Sequence, residues 1–179
     1  MTPFRLFTVL AAMAISLAAC DEGTPRVVTV SSNTEKPSIY LRETAVTGLI
    51  RVLLAPEAVA NASGYVDETI AVMEKSVRQA HPVFQPVDTF ETGQGLMVVL
   101  FVGAPKGMSG RSLCRGELDG DSVRADGEVK IIAAMCKRND LVGEVHGWID
   151  EAVAVGDRDY GKVIEQMTIA MFADQGQHR

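Results

Sequence analysis

Short apolar runs follow one another between residues 83 and 149, and the turns that separate them are brief. Residues 96–102 form an almost uninterrupted apolar run, 128–137 form a second, and 141–149 form a further one. Apolar and β-branched runs of this length, bounded by turn residues, predict strands. Strands joined by short turns pair in the antiparallel sense, because a parallel pair needs a long crossover connection. The spacing therefore favours an antiparallel sheet.

Composition predicts three more strands. Residues 44–55 are β-branched and apolar, and residues 111–118 form a run that contains Cys114. Residues 83–91 include Pro86, which lacks an N–H group and therefore places this run at a sheet edge. Loops or turns are predicted at 92–95, 103–110, 119–127 and 138–140.

Two segments have the three- and four-residue apolar spacing of amphipathic helices. The first begins at Pro56, a residue type tolerated at the first helical position. It ends at His81, because Pro82 disfavours helical geometry in the residue before it. The second covers residues 159–173. The predicted fold class is α+β, an antiparallel sheet of about five to six strands with two amphipathic helices packed on one face.

The N-terminal residues have the pattern of an export signal. Arg5 precedes an apolar stretch at 6–19. A membrane-spanning helix needs roughly 20 apolar residues, so this stretch is too short for one. An early positive charge, a short apolar core and small residues before a cleavage point are typical of a secretory signal peptide.

The end of this stretch, Leu17-Ala18-Ala19-Cys20, resembles the lipobox of bacterial lipoproteins. The resemblance implies cleavage before Cys20 and acylation of Cys20, so that its acyl chains insert into a membrane. Asp21 resembles the signal that retains lipoproteins at the inner membrane of enteric bacteria. It favours the inner membrane, and the outer membrane stays open. The alternative is an ordinary signal peptide that leaves Cys20 as a free or disulfide-bonded thiol.

These features divide the chain into four parts. They are a signal peptide at 1–19, an acylated N-terminus and flexible linker at 20–43, a single globular domain at 44–174 and a frayed tail at 175–179. Two prolines and several Ser and Thr residues favour the linker. The alternative is that residues 27–30 form an edge strand. The expected location is the periplasmic side of a bacterial cell envelope.

Cys114 and Cys136 remain as a pair once Cys20 is assigned to the anchor. Exported proteins meet an oxidising compartment, where paired cysteines form disulfides. A zinc site that includes His146 is disfavoured, because structural zinc uses four ligands and the cysteine spacing is far from the usual two to four residues. We therefore predict a Cys114–Cys136 disulfide.

The charge distribution argues against some partners. The chain has a formal net charge of −6, and its 22% of charged residues include no basic cluster. Proteins that bind nucleic acids usually carry a basic face. Strong attraction to an anionic lipid surface also needs clustered Lys and Arg residues. We predict no nucleic-acid partner.

Two glycine-rich patterns come close to known motifs. Residues 103–112 follow a predicted strand, but they do not meet the spacing of the phosphate-binding loop, G-x-x-x-x-G-K-[ST]. Gly107-Met108-Ser109-Gly110 misses the G-x-S-x-G nucleophile elbow by one residue. The chain has three histidines that could serve as a base. A hydrolase that uses Ser109 is therefore one alternative.

An acidic turn carries carboxylates at Glu117, Asp119, Asp121, Asp126 and Glu128. Oxygen-rich loops bind calcium, but Val123 stands where the EF-hand pattern requires its third ligand. The other interpretation is a solvated hairpin tip that keeps the adjacent edges from pairing with other chains. We assign no catalytic, cofactor-binding or metal-binding residue and predict no cofactor.

The sequence as a whole predicts a lipid-anchored envelope protein with a non-catalytic interaction or accessory domain. Its partners are the membrane, through Cys20, and another envelope protein. The alternative is a small-molecule or metal-binding periplasmic module that uses the acidic turn or the glycine-rich loop. Trp148, the single tryptophan, is either part of the core or an exposed binding anchor.

Overall fold

The computed structural model describes residues 26–32, 49–77, 82–91, 95–120, 124–125, 127–150 and 156–172. The predicted signal peptide, Cys20 and the C-terminal tail lie outside these ranges.

Strands and helices alternate in the first half of the described chain, and strands dominate the second half. The strands are β1 (Arg26–Ser32), β2 (Leu49–Ala55), β3 (Val83–Val87), β4 (Leu96–Val102), β5 (Arg124–Ala125), β6 (Glu128–Lys137) and β7 (Asp140–Asp150). The helices are α1 (Glu57–Ala60), α2 (Tyr65–Ser76), α3 (Gly110–Leu113) and α4 (Arg158–Phe172).

The described strands form one sheet in the order β1-β7-β6-β4-β2-β3, with β5 paired to β6. Pairing is antiparallel from β1 through β7 and β6 to β4. It is parallel between β4 and β2 and between β2 and β3. The sheet is therefore mixed, and the prediction of an antiparallel sheet is correct only for part of it. The parallel pairing of β3 with β2 is possible because α1 and α2 make the connection between these strands long enough for a crossover.

Both edges of the sheet are occupied by strands that the sequence marked as edge candidates. Pro86 lies in β3, which pairs only with β2 among the described strands, and an edge strand tolerates a residue that lacks an N–H group. At the other edge, Arg26–Ser32 pairs with β7. The alternative of an edge strand at 27–30 is thus what the structure shows, and residues 26–32 belong to the sheet rather than to a linker.

One face of the sheet is covered by α2 and α4, which also contact each other. Successive strand side chains point to opposite faces. Alternate residues of the central strands, such as Val98 and Ile131, therefore pack with Tyr160, Ile164 and Met167 of α4 in one buried cluster. Since α2 also contacts β3 and α4 contacts β7 and β1, the two helices span the sheet from edge to edge.

The opposite face of the sheet is buried as well. Met97, Val99 and Phe101 of β4 pack with Leu113 and Cys114 in a second cluster. With both faces covered, every residue of β4 is buried. This explains why β4 reads as a continuous apolar run instead of alternating with polar residues.

The predicted strand at 111–118 is wrong, because its first residues form the short helix α3. Leu113 and Cys114 are neighbours in the sequence and both are fully buried. A strand would turn such neighbours to opposite faces, whereas a helical turn can direct both towards the same sheet.

The predicted helix from Pro56 to His81 is divided in two. Helix α1 ends at Ala60, and α2 begins after Gly64, whose φ of 90° is incompatible with a continuous helix. Helix α2 ends at Ser76, and residues 78–81 lie outside the described ranges. The second predicted helix is confirmed within one residue at each end as α4. No helix within the described ranges combines the length and apolar character needed to cross a membrane.

Candidate functional site

The predicted disulfide is confirmed. Cys114 and Cys136 are bonded, with their Cα atoms 5.4 Å apart. Cys136 lies in β6, as expected, but Cys114 is the residue that ends α3 rather than part of a neighbouring strand. The bond therefore fastens α3 to the sheet face that α2 and α4 leave uncovered.

Ser109 has a structural role in this region. Its side-chain oxygen accepts a hydrogen bond from the backbone N–H of Ser112 at 3.3 Å, which caps the start of α3. His146, the one histidine within the described ranges, is hydrogen-bonded to Glu144. His81 and His178 lie outside the described ranges. Nothing in these hydrogen bonds joins Ser109 to a base.

The predicted acidic turn is described only in part. Glu117, Asp119 and Glu128 lie within the described ranges, whereas Asp121 and Asp126 do not have described side chains. Among the residues that are described, no group of three or more His, Cys, Asp or Glu side chains is placed to hold a metal ion.

A row of polar and aromatic side chains runs along β7. Glu144, His146 and Trp148 occupy alternate positions and therefore share a face, the one opposite α2 and α4. Glu144 is 6% exposed and lies so close to α3 that a Cβ atom added at Gly110 would meet its carboxyl group at 2.9 Å. The glycine is thus what allows α3 to approach this carboxylate.

His146 is partly buried and hydrogen-bonded. Its Nε2 atom lies 2.7 Å from Oε1 of Glu144. Burial lowers the pKa of His146 below its ordinary value of 6.5, and the charge of Lys130 lowers it further, while the hydrogen bond to Glu144 opposes the shift. A neutral ring can still donate from Nε2 to the carboxylate.

Trp148 is partly buried at the edge formed by β1 and β7. The guanidinium of Arg26 lies 4.5 Å from the centre of its ring, a cation–π contact. Arg26 also donates to Glu128 at 3.4 Å. The ring of His146 packs against Trp148 edge-on, with centroids 5.9 Å apart. Sequence reasoning missed Arg26 because it placed this residue in the linker.

A cavity of about 420 Å³ lies at the carboxyl ends of β2 and β3, beside α1 and α2. Its lining consists of residues 52–57, 60, 61, 66, 69, 70, 86–90, 118 and 119. Most of the lining residues are apolar, Asn61, Thr69 and Thr89 are neutral and polar, and the exposed carboxylates of Glu57, Asp88 and Asp119 lie on the rim. The sequence placed only Leu118 and Asp119 near a candidate site, because the other lining residues converge through tertiary packing.

Thr69 forms the buried polar part of the cavity wall. It is 1% exposed, and its hydroxyl lies 2.6 Å from the hydroxyl of Tyr160. The same tyrosine ring packs edge-on against Tyr65, with centroids 5.3 Å apart. The hydroxyl of Thr69 is therefore already satisfied within the protein.

These features define a mixed α+β domain with a sheet buried on both faces and a cavity at one end of its parallel strands. No protein-family model matches the chain, and no curated protein matches it. Among solved structures, the chain is similar to the PelC dodecamer from Paraburkholderia phytofirmans, with a TM-score of 0.45 and 8% identity over 84% of this chain and 99% of that chain. A single-residue variant of the same PelC dodecamer gives a TM-score of 0.43 and 6% identity over 84% of this chain and 98% of that chain.

Proposed function

We propose that the protein is a lipid-anchored envelope protein, held on the periplasmic side of a membrane by acyl chains on Cys20. Its globular domain acts as a non-catalytic interaction or accessory domain. The observation that carries this proposal is the sequence Leu17-Ala18-Ala19-Cys20 at the end of a short apolar stretch. Two or more acyl chains on one residue would make the attachment durable, since a single chain gives only reversible binding.

The position of β1 adds a geometric consequence. Only residues 21–25 separate Cys20 from Arg26, the first residue of the sheet. An extended chain spans roughly 3.5 Å per residue, so the start of β1 would lie within about 20 Å of an acylated Cys20. The domain would therefore stay close to the bilayer, with the β1 edge of the sheet nearest to it.

The β1 edge is also where the domain offers a surface for a partner. Val28 and Val30 are 46% and 51% exposed, and Val28 pairs with His146 of β7, two residues from the Arg26–Trp148 pair. Edge strands have unpaired backbone groups that can bind an added strand. We propose this edge as the contact for another envelope protein in the same membrane, the inner membrane being favoured by Asp21.

Metabolic labelling with an alkyne-bearing palmitate analogue tests the anchor. The wild-type protein, expressed in a bacterium that processes lipoproteins, should take up label, and inhibition of lipoprotein signal peptidase should accumulate the precursor. The Cys20→Ser variant should lose the label and leave the membrane fraction. A variant with both Cys114→Ser and Cys136→Ser controls for other thiols and should keep the label. An unlabelled wild-type protein would rule out the anchor.

Photo-crosslinking tests the interaction surface. A photoreactive amino acid at Val28 should give a discrete cross-linked product in cells that express the protein at native level. The matched control is Val83, which is 52% exposed but lies on β3, at the opposite edge of the sheet. Identical products from both positions, or none from Val28, would contradict the proposed contact.

A small-molecule-binding module is the second candidate function. It is favoured by one specific observation, the cavity beside α1 and α2, which is of a size that holds small ligands. Binding of a small molecule is compatible with the anchor and does not depend on it.

A further inference from the structure

The cavity lies where ligands often bind in sheets with parallel strands. Strands β2, β3 and β4 run parallel, and the cavity opens beyond the carboxyl ends of β2 and β3. In open sheets of this kind, ligands bind outside the carboxyl ends of the strands, where the connections diverge. Here the connection after β2 leads through α1 and α2 to β3 at the edge, whereas the chain after β4 leads to the antiparallel half of the sheet.

The inner wall suits an apolar group. Val66 and Ile70 project from α2, and Phe90 and Leu118 line the opposite side. All four are only partly buried, so a ligand in the cavity would remove more of their apolar surface from water. The one fully buried polar side chain in this wall, Thr69, is already bonded to Tyr160.

The rim suits a positive charge. Glu57, Asp88 and Asp119 line the cavity and are exposed. Among the described lining residues there is no Lys, Arg or His. A concave site lined with charge of one sign raises the local concentration of the opposite ion. The same rim would repel an anionic ligand.

We infer that this cavity binds a small cationic amphiphile, a soluble molecule with an alkyl or aryl body and at least one ammonium group. The apolar body packs against Val66, Ile70 and Phe90, and the ammonium group remains at the rim near Asp88 and Asp119. The inference rests on the second candidate function, whose ligand class it names, and it is independent of the anchor, because it uses residues of the cavity alone.

Titration monitored by backbone amide NMR tests the inference, with the full mature chain, residues 20–179, carrying Cys20→Ser so that no acyl chain competes. Three probes separate the contributions: octylamine, octanoate and spermidine. Octylamine should shift amide resonances of the cavity lining in a saturable way. Octanoate and spermidine should bind at least about tenfold more weakly, since one has the wrong charge and the other has no apolar body.

Two pairs of substitutions provide the matched comparison. Asp88→Asn with Asp119→Asn should weaken octylamine binding about tenfold at low salt, which corresponds to about 1.4 kcal/mol. Glu74→Gln with Glu165→Gln removes the same charge from exposed positions outside the cavity and should leave the affinity unchanged. These four side chains are exposed, so the fold should be retained.

Filling the cavity gives a second, independent measurement. Ala60→Phe places a large side chain at the lining from α1 and should abolish saturable shifts with octylamine. The inference is overturned if octylamine causes no saturable shifts in the cavity, or if octanoate or spermidine binds as tightly as octylamine. It is also overturned if the affinity for octylamine is the same in the two double variants.

Discussion

The hydroxyl groups of Thr69 and Tyr160 lie 2.6 Å apart and join α2 to α4 in the core. Both residues are almost fully buried. Burial raises the pKa of the Tyr160 phenol far above its ordinary value of 10.0, so the hydroxyl stays protonated and can donate. The two helices, which are far apart in the sequence, thus share a hydrogen bond within an otherwise apolar contact.

Tyr160→Phe should lower the free energy of unfolding by about 1–3 kcal/mol, because it leaves the Thr69 hydroxyl buried without its partner. Thr69→Val should have a similar effect on the phenol. The double variant should lose clearly less than the sum, since replacing both partners by apolar groups of similar shape is nearly neutral. Urea denaturation of the four proteins measures this coupling. Additive losses would show that the hydrogen bond contributes nothing.

Gly147→Ala should destabilise the domain by about 1–3 kcal/mol, the usual cost of overpacking a core. A Cβ atom at Gly147 of β7 would meet Val163 Cγ2 and Met167 Sδ of α4 at 2.6 Å each. Methionine can move, but the β-branched valine has little freedom in a helix. Thermal unfolding should show a lower midpoint for this variant.

Gly161→Ala is the matched control on α4. A Cβ atom there has only Glu68 Oε1 nearby, at 3.8 Å, which is an ordinary contact. Because glycine weakens a helix interior by roughly 0.5–1 kcal/mol relative to alanine, this variant should be more stable than the wild type. If both glycine substitutions change stability in the same direction, the close approach of α4 to β7 at Gly147 is not what limits that position.

Removal of the Cys114–Cys136 bond, by changing both residues to Ala, should lower the free energy of unfolding by about 3 kcal/mol on the chain-entropy account of loop closure. The bond closes a loop with a sequence separation of 22. Reducing the wild-type protein during denaturation should produce the same loss without any substitution. A double variant as stable as the oxidised wild type would contradict the expectation.

The free energy of unfolding should decrease as the pH is lowered, partly because of His146. Its pKa is lowered in the folded state, mainly by burial, so between that lowered value and 6.5 the unfolded chain binds more protons than the folded one. The contribution of His146 is therefore fully present above about pH 6.5 and is lost as the pH falls below it. Urea denaturation at pH 8, 7, 6 and 5 should show this slope, and His146→Gln should flatten it. An unchanged slope in the variant would assign the pH dependence to other groups.

The central strands could be predicted from the sequence because their own residues form continuous apolar runs. The run at 96–102 is apolar at every position since both sheet faces are covered there, and its bounds are those of β4. Strand β6 was predicted at its observed bounds for the same reason. The disulfide could be predicted from the number of cysteines and from the oxidising compartment expected for a chain with a predicted signal peptide.

The direction of strand pairing was not predictable in the same way. The short turn between β6 and β7 predicts their antiparallel pairing. No local pattern near β4 predicts that it pairs in parallel with β2. Helix α3 was missed because a single helical turn is too short for a periodic pattern to appear. Ser109 is the local feature that could have indicated a helix start. The sequence offers it as a potential nucleophile, but in the structure its side chain caps the start of α3.

The candidate sites were harder to predict from the sequence than the strands. Glu144, His146 and Trp148 are spaced at two-residue intervals, which indicates a shared strand face, but not that Arg26 covers the indole. The cavity combines the ends of β2 and β3 with α2 and with Leu118. Its apolar wall is assembled from residues that, in the sequence, read simply as core positions of separate elements.

The pairing of β1 with β7 also sets an order for folding during synthesis. Arg26, at the start of the sheet, contacts Glu128, which is 102 residues further along the chain. An emerging polypeptide cannot complete this edge until almost all of the domain has been synthesised. Long-range pairing of this kind slows folding, because the entropic cost of closing a long loop comes before any stabilising contact has formed. The first strand to appear is therefore expected to stay exposed until nearly the last strand has formed, and chaperones that bind nascent chains would have their best chance to bind it during that interval.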